Sequence, residues 1–146
     1  MHRLRAATLD DVADVLPRTR ALNAHEGIQI SDEELERALK MLLADRNLGG
    51  VWIIEEASRT VGHAIVTFGY DLEFAGRDAW LTELWIDEAA RGHGAGTAAL
   101  VLLDEELRER GVRALHLQVR PENPALRLYE RTGFSRSPRL LLTRRL

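Results

Sequence analysis

Three glycines at alternate positions, Gly92, Gly94 and Gly96, mark the segment of this sequence whose residue types best suit chemistry. An apolar run precedes them, and a helix-forming run rich in Ala, Leu, Val and Glu follows. A strand, a glycine turn and a helix start direct free main-chain N–H groups and the positive end of the helix dipole at an anion. Glycine permits positive φ and lacks the Cβ that would hinder close approach. The pattern predicts a phosphate site and favours a pyrophosphate.

Two widespread phosphate-binding turns fit this segment less well. A P-loop ends in Gly-Lys-Ser/Thr, whereas Gly96 is followed directly by Thr97. The dinucleotide pattern G-x-G-x-x-G/A matches Gly94, Gly96 and Ala99, but it expects an acidic residue about 20 positions further on. Residues 118–120 are Gln-Val-Arg, and too little chain follows to build the remaining βα units. We therefore set both interpretations aside.

A third pattern, Arg/Gln-x-x-Gly-x-Gly/Ala, is satisfied by Arg91, Gly94 and Gly96, after a strand of the form apolar-x-Glu-Leu-aromatic-Ile-Asp. A second motif follows roughly 30 residues later. Its residues are Val119, Asn123, Ala125, Leu128-Tyr129-Glu130 and Gly133-Phe134. Together the two motifs resemble the signature of the GCN5-related N-acetyltransferases (GNAT), which bind the pyrophosphate of acetyl-CoA at the glycine turn. Two motifs in the right order are far more specific than either alone.

The resemblance implies a binding role for particular residues. The turn would hold the pyrophosphate, and the strand before it would pair through its main chain with pantetheine, one N–H polarising the thioester carbonyl. Arg91 could contact phosphate or cap the loop, and Asn123 could cap the next helix or contact CoA. The implied cofactor-binding residues are Leu84, Trp85, Ile86, Arg91, Gly92, His93, Gly94, Ala95, Gly96 and Asn123.

The resemblance also implies two catalytic residues, Tyr129 and Glu83. Tyr129 corresponds to the tyrosine that can protonate the departing CoA thiolate, although a tyrosine on an apolar helix face is ordinarily a core residue. Glu83 corresponds to an acidic residue that acts on the acceptor amine directly or through water; its ordinary alternative is an interior carboxylate held by a hydrogen bond. Asp71, Glu73 and Glu26 lie where the family shapes the acceptor mouth, or are exposed loop charges. No metal is implied.

The elements that must position these residues follow from hydrophobic periodicity and from turn and capping signals. A helix with a kink or split at Pro17, and a second one capped by Ser31, separate the first strand from the next three. The predicted strands are residues 2–7, 51–55, 61–70, 79–86 (buried on both faces) and 115–120, with closing strands at Phe134 and at 140–142. The order β-α-α-β-β-β-α-β-α-β predicts a mixed α/β sheet, the GNAT-like acyl-CoA N-acyltransferase fold, in one domain over residues 1–146.

Composition limits the classes of function. The formal charge of −3 argues against a dedicated nucleic-acid binder. No cysteine is present, so no thiolate can carry the acyl group, which favours direct attack. No apolar run reaches the roughly 20 residues that span a bilayer, and no signal peptide is recognisable, so a cytoplasmic location without membrane partners is expected.

The sequence therefore predicts an acetyl-CoA-dependent N-acetyltransferase that acts on a primary amine through a ternary complex. The acceptor would be a small-molecule or peptide amine, and the resemblance leaves a homodimer open. The alternative is a non-catalytic CoA-binding or regulatory module on the same fold. Loss of the tyrosine and the acid would favour that alternative, but this chain keeps both Tyr129 and Glu83.

Overall fold

The computed structural model describes residues 1–146, arranged around a five-stranded sheet. The strands are β1 (His2–Ala6), β2 (Gly49–Glu56), β3 (Arg59–Asp71), β4 (Gly76–Ile86) and β5 (Ala114–His116). They lie in sequence order; the three pairs formed among β1 to β4 are antiparallel, and β5 is parallel to β4. The helices are α1 (Val12–His25), α2 (Asp32–Ala44), α3 (Ala95–Glu109) and α4 (Ala125–Arg131). The predicted mixed α/β fold is confirmed.

The helix starts follow the capping signals of the sequence. The Ser31 hydroxyl accepts a hydrogen bond from the Glu34 main-chain N–H, and the Glu34 carboxylate accepts one from the Ser31 N–H, which completes the capping box of α2. Helix α1 continues through Pro17, so the helix is not split there. None of the four helices is both long enough and apolar enough to cross a bilayer.

The helices cover the two faces of the sheet in pairs. Helices α1 and α2 pack on one face, through a buried cluster made of Val12, Val15, Leu39, Val51, Ile53 and Ile65. Helix α3 packs on the other face, through a cluster made of Trp52, Ala64, Val66, Ala79, Leu81, Leu100, Leu103 and Leu107. Alternate residues of each strand point to opposite faces. The sheet therefore separates an α1/α2 side from an α3 side, where α4 also packs through Leu128 and Tyr129.

Strand β4 contains an irregularity halfway along its length. Ile65 of β3 lies opposite Glu83, whereas the next residue, Val66, lies opposite Leu81, so Thr82 is an extra residue in β4. Such a β-bulge shifts the alternation of side chains by one position. Leu81 and Leu84 consequently both pack on the α3 side, and Glu83 lies on the α1/α2 side with Ile65.

Strand β5 is shorter than predicted. It pairs with β4 only at Asp78–Ala114, Ala79–Leu115 and Trp80–His116, and residues 117–120 form no strand. The alternation over residues 115–120 marks exposure, but a strand also needs a neighbour to accept its hydrogen bonds. Because β4 and β5 separate after Trp80, the second half of β4 is only half-buried, and Thr82 is exposed, rather than buried on both faces.

The predicted closing strands at Phe134 and residues 140–142 do not form. The chain after α4 contains no strand, and Leu140, Leu141 and Leu142 are 87%, 59% and 88% exposed. Phe134 instead packs against the core on the α3 side. An apolar run indicates a strand only where a sheet edge receives it, and no main-chain hydrogen bond joins residues 135–146 to β5. The prediction of a final strand after α4 is therefore wrong.

Candidate active site

The glycine turn places a row of unpaired donors at the N-terminus of α3. Gly92 and Gly94 have φ values of +79° and +82°, in the left-handed region that favours glycine. The Ala98 N–H is the first to donate within the helix, to the Gly94 carbonyl at 3.0 Å. None of the six main-chain N–H groups from residue 92 to residue 97 donates to a protein acceptor. Six orphaned donors at the positive end of a 15-residue helix suit an anion with several oxygens.

The three glycines have different structural roles. A Cβ at Gly92 or Gly94 would point into open space, with no protein atom within 4 Å. A Cβ at Gly96 would lie 2.9 Å from Leu128 Cδ2, so this glycine allows α4 to approach the start of α3. The turn therefore leaves room above Gly92 and Gly94, and its amides fit the pyrophosphate that the sequence predicts there.

Arg91 is turned back towards β4. Its Nε donates to the Ile86 carbonyl oxygen at 2.8 Å, and its guanidinium lies 5.2 Å from the centre of the Trp85 ring. Of the two alternatives for Arg91, this geometry is that of a loop cap. The guanidinium remains exposed beside the turn, as does His93, which makes no hydrogen bond to the protein.

The separation of β4 and β5 opens the sheet beside this turn. Trp80–His116 is the last pair of the two strands, and the main-chain groups on that side of residues 81–86 have no strand partner. Leu84, Trp85 and Ile86 lie in this stretch. The unpaired edge can receive an extended ligand by the hydrogen bonds that a neighbouring strand would otherwise make.

Glu83 lies in a polar cluster on the α1/α2 side of the opening. Its Oε2 accepts a hydrogen bond from the Thr19 hydroxyl of α1 at 2.8 Å and lies 2.8 Å from His63 Nε2 of β3. The Glu83 side chain is 13% exposed, and the His63 side chain is fully buried. Glu83 is therefore an interior carboxylate held by hydrogen bonds, and one that still reaches solvent.

Tyr129 lies on the opposite side of the sheet, among the apolar residues below α3. Its ring meets that of Phe134 edge-on, with centroids 5.7 Å apart. Burial raises the pKa of the Tyr129 phenol above its ordinary value of 10.0, and no hydrogen bond to the protein opposes that shift. The phenol is therefore protonated at neutral pH and able to donate.

A second contact fastens α1 to the end of β4. Arg18 of α1 binds Asp87 through two parallel hydrogen bonds, Nε to Oδ1 at 2.8 Å and Nη2 to Oδ2 at 2.9 Å. The Trp85 indole N–H also donates to Asp87 Oδ1 at 3.0 Å. The Arg18 guanidinium, and secondarily the indole, hold the pKa of the Asp87 carboxyl below its usual range. Two consecutive residues of α1 are thus bound to β4 and the residue that follows it: Thr19 binds Glu83, before Trp85 in the sequence, and Arg18 binds Asp87, after it.

The remaining predicted site residues have structural partners. The Asn123 side chain accepts from the Ala125 N–H at 2.9 Å, as expected of a residue at the start of α4. Two of the acidic residues expected at the acceptor mouth form ion pairs, Glu26 with Arg120 and Glu73 with Arg139. Asp71 caps the turn after β3 by accepting from the Glu73 N–H at 2.8 Å.

The predicted site residues lie on both sides of the sheet. The turn and α4 meet on the α3 side, where Gly96 lies against Leu128, whereas the Arg91 guanidinium lies over the Trp85 ring. Glu83 approaches from the α1/α2 side. Sequence reasoning missed Thr19, Arg18 and His63. A histidine within the apolar run of residues 61–66 was a usable signal, because a buried histidine needs a polar partner.

Known proteins share sequence features and the fold with this chain. The family model described as "Acetyltransferase (GNAT) family" matches residues 16–134. An integron cassette protein, HFX_CASS3, from the mobile metagenome of Cole Harbour Salt Marsh is 30% identical, with a TM-score of 0.85 over 98% of this chain and 90% of its own. A search of curated protein sequences finds no match.

Two further solved structures are 25% identical to this chain. One is described as a predicted acetyltransferase with acetyl-CoA from Clostridium acetobutylicum; its TM-score is 0.80 over 99% of this chain and 96% of its own. The other is a transcriptional regulator from Bacillus halodurans C-125, with a TM-score of 0.82 over 99% of both chains. Each covers nearly all of this chain, so the likeness extends beyond the two motifs.

The Arg18–Asp87 pair generates a prediction about stability. Since Asp87 is 37% exposed, we expect Asp87→Asn to lower the free energy of unfolding by about 1 kcal/mol at pH 7, or roughly 3 °C in Tm. A carboxyl whose pKa is lowered by folding stabilises the protein above its unfolded-state pKa of roughly 4, and that contribution disappears as the pH falls through the folded-state pKa. The difference in Tm between the two proteins should therefore be constant from pH 5 to pH 8 and close below pH 4.

Thermal unfolding followed by circular dichroism at several pH values measures this difference. The matched control is Glu73→Gln, which removes an exposed ion pair (47% and 75% exposed) and should leave Tm nearly unchanged. A difference in Tm between the wild type and Asp87→Asn that is the same at pH 3 and pH 7 would show that Asp87 does not stabilise the protein through its charge.

Proposed function

Because this chain belongs to the GNAT family of acetyltransferases, we propose that it transfers the acetyl group of acetyl-CoA to a primary amine by direct attack within a ternary complex. The observation that carries the proposal is the row of six unpaired N–H groups from residue 92 to residue 97, at the N-terminus of α3 and next to the unpaired edge of β4. The first feature suits a pyrophosphate and the second an extended amide-containing arm. A relative at 25% identity is described with acetyl-CoA, which supports the same ligand here.

The two sides of the sheet opening would receive different partners. Acetyl-CoA, bound through the turn and β4, supplies an activated acyl group. An N–H of β4 on the unpaired edge can stabilise the negative charge that develops on the acyl oxygen. The acceptor amine would approach from the α1/α2 side, where the Glu83 carboxylate attracts a cation and takes up its proton, directly or through water. Tyr129, protonated at neutral pH and on the α3 side, would donate a proton to the leaving sulfur.

The chemical class of the acceptor follows from Glu83. A partly exposed carboxylate at the opening favours an ammonium group over an anionic or neutral acceptor. Glu26 and Glu73, two of the other acidic residues expected at the mouth, are each paired with an arginine. Incubation of the protein with acetyl-CoA and a panel of primary amines, with free CoA thiol as the readout, tests the activity.

A non-catalytic CoA-binding module is the alternative, and a transcriptional regulator at 25% identity shares the fold. The retention of both Glu83 and Tyr129 beside the opening argues against it. Tight CoA binding, with no thiol released across the panel of amines, would favour that module instead.

The pyrophosphate assignment makes a prediction for Gly94. In Gly94→Val the new side chain would occupy the open space above the turn, so CoA affinity should fall by at least about 100-fold, as expected when several charge-assisted hydrogen bonds are lost together. Titration calorimetry with CoA measures the change. The matched control is Gly111→Val, at the other end of α3, which has φ of +78° and the same open surroundings. Both variants carry similar backbone strain. If their affinities for CoA were equal, the turn would not be part of the CoA site.

The acid role makes a prediction for Tyr129. Tyr129→Phe keeps the apolar ring and removes the donor, so kcat should fall by roughly 100-fold while the Kd for acetyl-CoA changes little. In the wild-type enzyme, the activity that depends on this proton should persist to above pH 10, because burial raises the pKa of the phenol. Steady-state kinetics and binding, measured on the same preparations, separate the two effects. An unchanged kcat would leave Tyr129 as a core residue only.

The base role makes a prediction for Glu83. Glu83→Gln should bind acetyl-CoA normally but lose kcat/KM for amines by roughly 10²- to 10⁴-fold near neutral pH. The loss should shrink towards pH 9.5, because an alkylamine with a pKa of roughly 10 then supplies more of its free base without help. An equal loss from pH 6.5 to pH 9.5, or no loss, would contradict the base role.

A further inference from the structure

His63 is a fully buried histidine of β3 and lies opposite Trp85 of β4. Its Nε2 lies 2.8 Å from Oε2 of Glu83, and its Nδ1 is buried with no hydrogen-bond partner. Most buried polar atoms are paired, so a half-satisfied histidine in an otherwise apolar strand needs an explanation. An apolar residue of similar size would pack at this position without that penalty.

The geometry identifies which nitrogen carries the proton. An ionised carboxylate can only accept hydrogen bonds, so the short contact requires a proton on Nε2 of His63. Nε2 is therefore the nitrogen that donates to Glu83, while Nδ1 is buried without a partner.

Both hydrogen-bond donors bind the same oxygen of the Glu83 carboxylate. The Thr19 hydroxyl and His63 Nε2 both reach Oε2, at 2.8 Å each. Oε1 receives no hydrogen bond from the protein and is not among the buried polar atoms. One oxygen is therefore fixed by the protein, and the other remains free to accept a proton from outside.

We propose that His63 is the positioning residue of the acceptor site, because it holds Glu83 Oε2 and so presents Oε1 to the incoming amine. The proposal rests on the base role of Glu83 in the proposed function. His63 touches neither acetyl-CoA nor acceptor; it acts only through Glu83.

The polar and charged groups around this pair have hydrogen-bond partners of their own. On α1, Thr19 donates to Glu83, and Arg18 donates to both carboxylate oxygens of Asp87. At the end of β4, Asp87 also accepts from the Trp85 indole. Since these contacts do not include His63, substituting His63 removes a single hydrogen bond from the cluster.

The test compares two substitutions of similar size. His63→Leu keeps the volume and removes the donor, whereas in His63→Gln an amide N–H can take the place of Nε2–H. We expect H63L to lower kcat/KM for the amine about 10- to 100-fold, as for loss of a hydrogen bond to a charged group, with the Kd for acetyl-CoA unchanged. H63Q should remain within about threefold of the wild-type kcat/KM.

A purely structural His63 would give a different pattern. In that case H63L and H63Q would both lower Tm, and the kcat/KM of H63Q would be no closer to the wild-type value than that of H63L. The proposal instead predicts that the amide of H63Q restores kcat/KM for the amine, because it can donate to Glu83, and that H63L loses it with the Kd for acetyl-CoA unchanged. Equal kcat/KM values for H63L and the wild type, or an H63Q as impaired as H63L in spite of a wild-type Tm, would overturn it.

A double-mutant cycle with Glu83→Gln separates this inference from the proposed function. Since His63 acts through Glu83, adding H63L to E83Q should change kcat/KM by less than about threefold. A full 10- to 100-fold further loss in the E83Q background would show that His63 acts by another route. If wild-type protein acetylates no amine, the proposed function fails; if it does and the two losses simply multiply, only the role of His63 fails.

Discussion

Beyond Trp80, strand β4 is hydrogen-bonded to β3 on one side and to no strand on the other. A sheet interior normally satisfies both edges of a strand, and an open edge inside a fold is a place where something else can pair. The glycine turn follows the end of this strand, and its amides are unpaired as well. The candidate site is thus built mainly from main-chain groups, whose directions are fixed by β3 on one side and by α3 on the other.

The bulge at Thr82 determines to which face of the sheet the side chains of β4 point. In a regular strand Leu81 and Glu83 would face the same way. The extra residue places Leu81 in the core below α3 and Glu83 towards α1, next to Thr19 and His63. A carboxylate on the α3 side would have been buried among leucines without a donor, which is unfavourable. The irregularity therefore separates an apolar side, with Tyr129, from a polar side, with Glu83.

The position of α1 is coupled to this polar side. Thr19 binds Glu83 and Arg18 binds Asp87, so a movement of α1 relative to β4 must break charge-assisted hydrogen bonds at both places. The same helix packs on the sheet through Val12 and Val15. Apolar packing and the two polar contacts together hold α1 in one position on the sheet, and with it the Thr19 hydroxyl.

The amino-acid sequence by itself determined those features that depend on local chemistry. Glycines at 92 and 94 are required for positive φ, the Ser31–Glu34 pair caps α2, and short apolar runs on either side of a polar turn mark β2 and β3. These rules act over a few residues, so the fold class and the glycine turn could be predicted. Only the tertiary structure decided where β5 stops pairing, that residues 140–142 form no strand, and that Arg91 caps the loop. The contacts of Glu83 with Thr19 and His63 join residues 64 and 20 positions apart. Such contacts depend on strand register and on a one-residue bulge, and no local pattern of residues specifies either.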